Sequence, residues 1–153
     1  MEGIKYYNIE NEPFKIYGVY KSESEGHFRR IPADVAKATS EGVFGLSKHC
    51  AGGRVRFTTN SSKIVVKAKM IDVGQMFHAT PLMQYGFDLY HDAPRGSRYL
   101  GTFKPAFPGR CDYECELAVP AGEKELTLGF PLYGCVASLD NGIIFYQKVQ
   151  RLF

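Results

Sequence analysis

Apolar and polar residues alternate with period two along most of this chain, in short runs broken by Gly, Pro, Asn and Asp. In RVRFTT (54–59), Val55 and Phe57 share one side and Arg54 and Arg56 the other. In KIVVKAKM (63–70), Ile64, Val66, Ala68 and Met70 share one face and the lysines the other. Asn60-Ser61-Ser62 between them reads as a turn, so the two runs predict a hairpin. QYGFDLYH (84–91) predicts a strand that groups Tyr85, Phe87 and Leu89. DYECELAV (112–119) turns Tyr113, Cys115, Leu117 and Val119 inward and Glu114 and Glu116 outward. After a turn at Ala121-Gly122, KELTLGF (124–130) buries Leu126, Leu128 and Phe130. Further strands are predicted over 15–20, 27–31, 97–103, 135–139 and 143–148. Only DVAKAT (34–39) has a helical pattern, with Pro32 just ahead of it. Many short strands with so little helix predict an all-β fold, an antiparallel two-sheet sandwich of jelly-roll-like form. An immunoglobulin-like sandwich ranks second, because the chain has no Trp.

Composition narrows the class. At 153 residues the chain is long enough for a real core, and a single domain over 1–153 is expected. Apolar residues make up 44% and charged residues 23%, which is globular composition rather than disorder. The net charge is +3, with basic and acidic residues interspersed and no basic block, so no nucleic-acid partner is expected. The apolar runs are too short to span a bilayer, so no membrane partner is expected either. The opening MEGIKYYNIE carries no signal-peptide pattern, which makes a cytoplasmic location the expectation. The cysteines are Cys50, Cys111, Cys115 and Cys135. On one strand Cys111 and Cys115 would sit about 13 Å apart, too far for a shared zinc or a disulfide. Buried free thiols in a reducing compartment are expected instead. The histidines at 27, 49, 78 and 91 form no metal motif, so neither metal nor cofactor is expected.

Asp88-Leu89-Tyr90-His91 has the spacing at which one large family of serine esterases carries two of its three catalytic residues. On a strand, however, Asp88 and His91 point to opposite faces, and an acid so placed cannot orient the base. A nucleophile is also missing. There is no Gly-Asp-Ser and no Gly-x-Ser-x-Gly elbow, and GLSKH (45–49) lacks the second glycine. The stretch therefore reads as strand, with Asp88 solvated or paired, and the chain by itself is not expected to be an enzyme.

Gly86-Phe87-Asp88-Leu89-Tyr90 resembles the Gly-x-Asp-Leu-Tyr signature of a domain that precedes the catalytic domain in certain SGNH-type (GDSL-like) esterases. FRRIP (28–32) resembles that domain's Arg-x-Pro opening segment, and CAGGRVRFTTNSSKIVVKAKM (50–70) its Arg-Phe-x-Thr-x-Ser and alternating-strand segment. LTLGFPLYGCV (126–136) resembles its Leu-Pro-Leu-Tyr segment. The order agrees, and together the segments cover most of the chain. The matching positions are Arg56, Thr58, Ser61, Gly86, Asp88, Tyr90, Pro131, Leu132 and Tyr133. Gly134-Cys135 stands where the family tends to have Asn-Gly, and Asn60 where an acid is common.

The resemblance implies a non-catalytic accessory β-domain whose partner is its own C-terminal catalytic domain, with the catalytic Ser, His and Asp beyond Phe153. It implies that the parent hydrolyses a carboxylic ester, with a carbohydrate ester as one candidate. Tyr133, Gly134, Pro131, Asp88, Tyr90 and Arg56 are the candidate cleft or domain-interface residues. Two other roles stand beside this one, a free-standing carbohydrate-binding module and an oligomerisation module that forms a homo-oligomer.

Overall fold

A computed structural model of the chain describes residues 4–106, 112–144 and 149–150. In chain order the elements are β1 (Ile4–Asn8), β2 (Lys15–Tyr17), β3 (Tyr20–Ser22), β4 (His27–Arg29), α1 (Ala33–Thr39), α2 (Glu41–Leu46), β5 (Arg54–Thr59), β6 (Lys63–Ile71), α3 (Pro81–Tyr85), β7 (Phe87–Ala93), β8 (Gly96–Phe103), β9 (Asp112–Ala118), β10 (Lys124–Gly129), β11 (Cys135–Ile144) and β12 (Val149–Gln150). Cys111 and residues 145–148 of the strand expected at 143–148 lie outside the described residues.

One sheet has four strands in the order β1-β11-β6-β9. The other has six, in the order β12-β5-β10-β7-β8, with β2 beside β5. β3 and β4 form a small third sheet, and every described pairing is antiparallel. The two large sheets meet through their apolar faces. Val55, Phe57, Phe87, Leu89, Leu126 and Leu128 from one share a core with Ile64, Val66, Ala68, Met70, Val136 and Leu139 from the other. All but Val136 and Leu139 are residues that the period-two pattern puts inside; those two, three apart, share the core because the register shifts between Val136 and Ser138. Burying each large side chain contributes about 1.5–3 kcal/mol. The expected all-β sandwich class is what the chain adopts.

The expected hairpin of 54–59 with 63–70 does not form. β5 pairs with β10, β2 and β12, whereas β6 pairs with β11 and β9. Residues 60–62 carry the chain from one sheet to the other. Alternation fixes which side chains face the core but not which strand lies alongside. Polar groups make this crossing stable. Ser61 is fully buried, its N–H donates to Thr59 Oγ1 at 3.1 Å and its hydroxyl donates to the Lys63 carbonyl at 2.5 Å. The buried Lys124 ammonium donates to the carbonyls of Ser61 and Gly122, each at 2.7 Å, and so ties this crossing to the one between β9 and β10.

Tyr85 is not on a strand. Thr80 and Pro81 start the one-turn helix α3, in which Pro loses no hydrogen bond, and α3 takes up Gln84 and Tyr85 before β7 begins. α1 matches the expected helix, but α2 was not anticipated. Its cap is Ser40, whose hydroxyl accepts from the Val43 N–H at 3.1 Å. Arg29, 1% exposed, holds α2 in place by donating to Ser47 Oγ and Glu25, each at 2.5 Å, with its guanidinium 4.8 Å from the Phe44 ring centroid.

Candidate functional site

The five residues 86–90 each have a distinct physical task. Gly86 caps α3 by donating its N–H to the Leu82 carbonyl at 2.8 Å. A Cβ there would come within 2.6 Å of that same oxygen and 3.0 Å of Thr102 Cγ2, so only Gly lets α3 lie against β8. Phe87 and Leu89 are completely buried. Asp88 faces outward and accepts from the Thr102 hydroxyl at 2.5 Å, in register across β7 and β8. Tyr90 packs edge-on to Tyr99, with ring centroids 5.6 Å apart. His91 falls on the other face and pairs with Leu126 and Arg98. Asp88 is thus a strand-pairing acid, bound to Thr102 rather than to His91.

The loop after β10 is pinned at one end of the sandwich. The Phe130 N–H donates to Gly53 O at 2.8 Å, and the Tyr133 N–H to Met83 O at 3.0 Å. The Cys50 N–H donates to Gly134 O at 2.9 Å. A Cβ on Gly134 would overlap the Gln84 carbonyl oxygen, so Gly134 marks a backbone-to-backbone contact of this loop with α3. Gln84, itself buried, donates to Gly74 O at 2.8 Å and draws the 72–80 segment onto the same end. Pro131 is buried, while Leu132 is 48% exposed. Leu82, Met83, Gly86, Asp88, Phe130, Pro131 and Leu132 line a small cleft of about 120 Å³.

Tyr133 sits between two histidines. Its ring lies edge-to-face with His49 (6.2 Å) and His78 (6.0 Å), and His78 continues to Phe77 at 5.1 Å. Phe77 is 98% exposed. His49 is buried, and its Nδ1 has no hydrogen-bond partner. Burial, with the nearby Lys48 and Arg30 charges, pulls the His49 pKa below the ordinary histidine value. This row of rings was not anticipated; Phe77 and His78 follow a Gly-containing loop with no periodic signal.

Arg56 and Tyr90 lie elsewhere, on the outer face of the six-stranded sheet. With Arg54, Asp92, Ser97 and Thr127 they line an open concavity of about 460 Å³. Arg56 reaches Asp92 at 3.5 Å and Glu125 at 3.8 Å. Asp92 also accepts from Ser97 and Thr127, at 2.7 and 2.5 Å. The structure therefore divides the six candidate residues between two places. Asp88, Pro131, Tyr133 and Gly134 are at the end of the sandwich, and Arg56 and Tyr90 are in the sheet-face concavity.

Among the described residues no group of three or more His, Cys, Asp or Glu is placed to hold a metal ion, and no helix is long and apolar enough to cross a membrane.

Comparison with known proteins places this geometry. No curated protein matches the chain. A solved structure from Bacteroides ovatus ATCC 8483, named a GDSL-like lipase, superposes with a TM-score of 0.82 at 26% identity, over 97% of this chain and 43% of that one. The salicylyl-acyltransferase SsfX3 of a tetracycline biosynthetic pathway shares the fold, with a TM-score of 0.70 at 16% identity, over 97% of this chain and 42% of that one. This chain therefore spans about two-fifths of the length of either protein. The profile of the GxDLY family, described as the N-terminus of SGNH-hydrolase-type esterases, matches residues 4–149. The motif after which that family is named is residues 86–90 here, and the chain belongs to the GxDLY family, the N-terminal domain of SGNH-type esterases.

Proposed function

We propose that this chain is a single non-catalytic domain that packs on the catalytic domain of an SGNH-type carboxylic-ester hydrolase and forms part of its substrate cleft. The observation that carries this reading is the apolar end of the sandwich. Phe77, Leu82 and Leu132 are 98, 47 and 48% exposed. Leu82 and Leu132 line the small cleft, Phe77 connects to Tyr133 through His78, and the 130–134 loop is fixed by backbone hydrogen bonds to α3 and to Cys50 and Gly53. Exposed apolar side chains beside a pinned loop suit a permanent neighbour. The lipase-named relative is more than twice as long as the matched region, which leaves room for such a neighbour. In this reading the ester-cleaving Ser, His and Asp belong to that second domain, and Tyr133 offers it a rigid aromatic with a polar tip.

The strand order supports a jelly-roll-like reading of the sandwich. The main strands fall to the sheets as β1, β6, β9 and β11 on one side and β5, β7, β8 and β10 on the other.

The test is Leu132→Glu in the natural gene product. The account expects an intact sandwich, a domain junction more open to protease, and a raised KM for ester. Unchanged proteolysis and kinetics, in both this variant and Tyr133→Ala, would remove the docking role of this face.

A further inference from the structure

We propose that the concavity on the outer face of the six-stranded sheet is a binding site for a neutral oligosaccharide. The site follows from the register of three strands. β10 presents Glu125, Thr127 and Gly129 outward, between β5 and β7. Thr127 has Arg56 on one side and Tyr90 on the other, and Gly129 has Arg54 and Asp88. Thr127 and Gly129 are short beside Arg54 and Arg56 on β5 and Tyr90 on β7, so a trough opens over this part of β10, with Glu125 at its end. Three outward positions on a strand span about 13 Å, room for a short chain of sugar rings.

The walls define the ligand chemistry. Arg54 and Arg56 on β5 can only donate hydrogen bonds, whereas Asp92 on β7 and Glu125 at the rim, as carboxylates, can only accept them. Arg54 is braced by Tyr17, whose ring centroid is 5.2 Å from the guanidinium carbon. Asp92 is held by Ser97 and Thr127, with Arg56 at 3.5 Å, so both polar walls are pre-positioned. The Tyr90–Tyr99 pair supplies an aromatic surface, and Tyr99 is 54% exposed. Two guanidinium groups face the Asp92 and Glu125 carboxylates, and a third carboxylate, Asp88 beside Gly129, is bound by Thr102, so neither sign has the trough to itself. An anion would meet Asp92 and Glu125, and a cation the two arginines. A ligand that donates and accepts at each unit, is uncharged and has apolar C–H faces for Tyr90 fits all of these groups together. A saccharide has those properties. The concavity shares no lining residue with the small cleft at Leu132, so an occupant at Arg56, Tyr90 and Thr127 and a domain docked on that cleft are compatible.

The experiment is a ¹H–¹⁵N titration of this chain with xylohexaose, mannohexaose and cellohexaose, and with an oligogalacturonate as the acidic probe. The proposal expects saturable shifts with at least one neutral probe, at a Kd of about 1 mM or tighter. They should fall at 54–56, 90–92 and 127–129, and both Arg54→Ala and Tyr90→Ala should weaken binding roughly tenfold or more with the spectrum still dispersed. Any of four results overturns it: no saturable shift with any neutral probe, tighter binding of the oligogalacturonate, shifts confined to 131–134, or equal binding by folded Arg54→Ala and Tyr90→Ala.

Discussion

The carboxylate of Asp88 accepts a hydrogen bond from Thr102 at 2.5 Å, and the Thr102 hydroxyl is itself 2.5 Å from that of Tyr99. The acid of the Gly-x-Asp-Leu-Tyr motif thus serves strand pairing between β7 and β8. Asp88→Asn keeps an acceptor for Thr102, and we predict a loss of less than about 1 kcal/mol with any ester hydrolysis by this chain unchanged. Chemical denaturation and an ester assay on the same variant check both halves. Selective loss of hydrolysis in a folded variant would restore the catalytic reading of Asp88 and His91.

Gly134 has no room for a methyl group, because Gln84 O, Pro131 and Met70 close around it. Gly134→Ala should cost about 3 kcal/mol and lower Tm by roughly 10 °C. Gly45, inside α2 with no atom near its Cβ position, is the counter-case. Gly45→Ala should be stabilising, by about 0.5–1 kcal/mol. Thermal unfolding of the two variants should therefore shift in opposite directions.

Lys124 is 5% exposed and bonds to carbonyl oxygens rather than to an acid. Lys124→Met keeps the stem but strands those carbonyls, and should cost about 1–3 kcal/mol. Desolvation holds the Lys124 pKa below its ordinary value. The unfolded chain therefore binds this proton more tightly than the folded one. This group's contribution to stability rises with pH between the folded pKa and the unfolded one, and Lys124→Met should remove that rise from a pH series of denaturation midpoints.

His49 acts on the acid side. Its folded pKa lies below the ordinary value, so the unfolded chain takes up the proton first. The stability linked to neutral His49 is fully present above the unfolded pKa of about 6.5. It falls away as pH drops from there towards the folded pKa. Denaturation midpoints at pH 7 and 5 should differ less in His49→Leu than in the unaltered chain. Because Nδ1 is buried without a partner, that variant should lose little stability at pH 7.

Alternation made the inner faces of β5, β6, β9 and β10 legible in the sequence, residue by residue. Their partners were not legible. A short polar link such as 60–62 serves equally as a hairpin turn or as a crossing between sheets, and a distant residue, Lys124, stabilises the crossing. α3 was hidden because a one-turn helix has no periodicity, although Thr80-Pro81 is a usable start signal. β1 is not legible at the chain start, where IKYYN mixes exposed and half-buried residues. Of the candidate site, the motif residues were legible as a group. Their separation into an apolar end and a polar sheet face depends on which strands flank β10, and the sequence pattern leaves that open. Arg54, Asp92 and Thr127 were visible only as outward strand positions, and His49, His78 and Phe77 not at all as a unit.

The most direct test of the central claim is the mass of the natural gene product in its own cells. The account predicts a species larger than 17.2 kDa by roughly 20 kDa or more, the size of a second ordinary domain. A product of 17.2 kDa would contradict it, because the apolar end formed by Phe77, Leu82 and Leu132 would then have no covalently attached catalytic domain to meet.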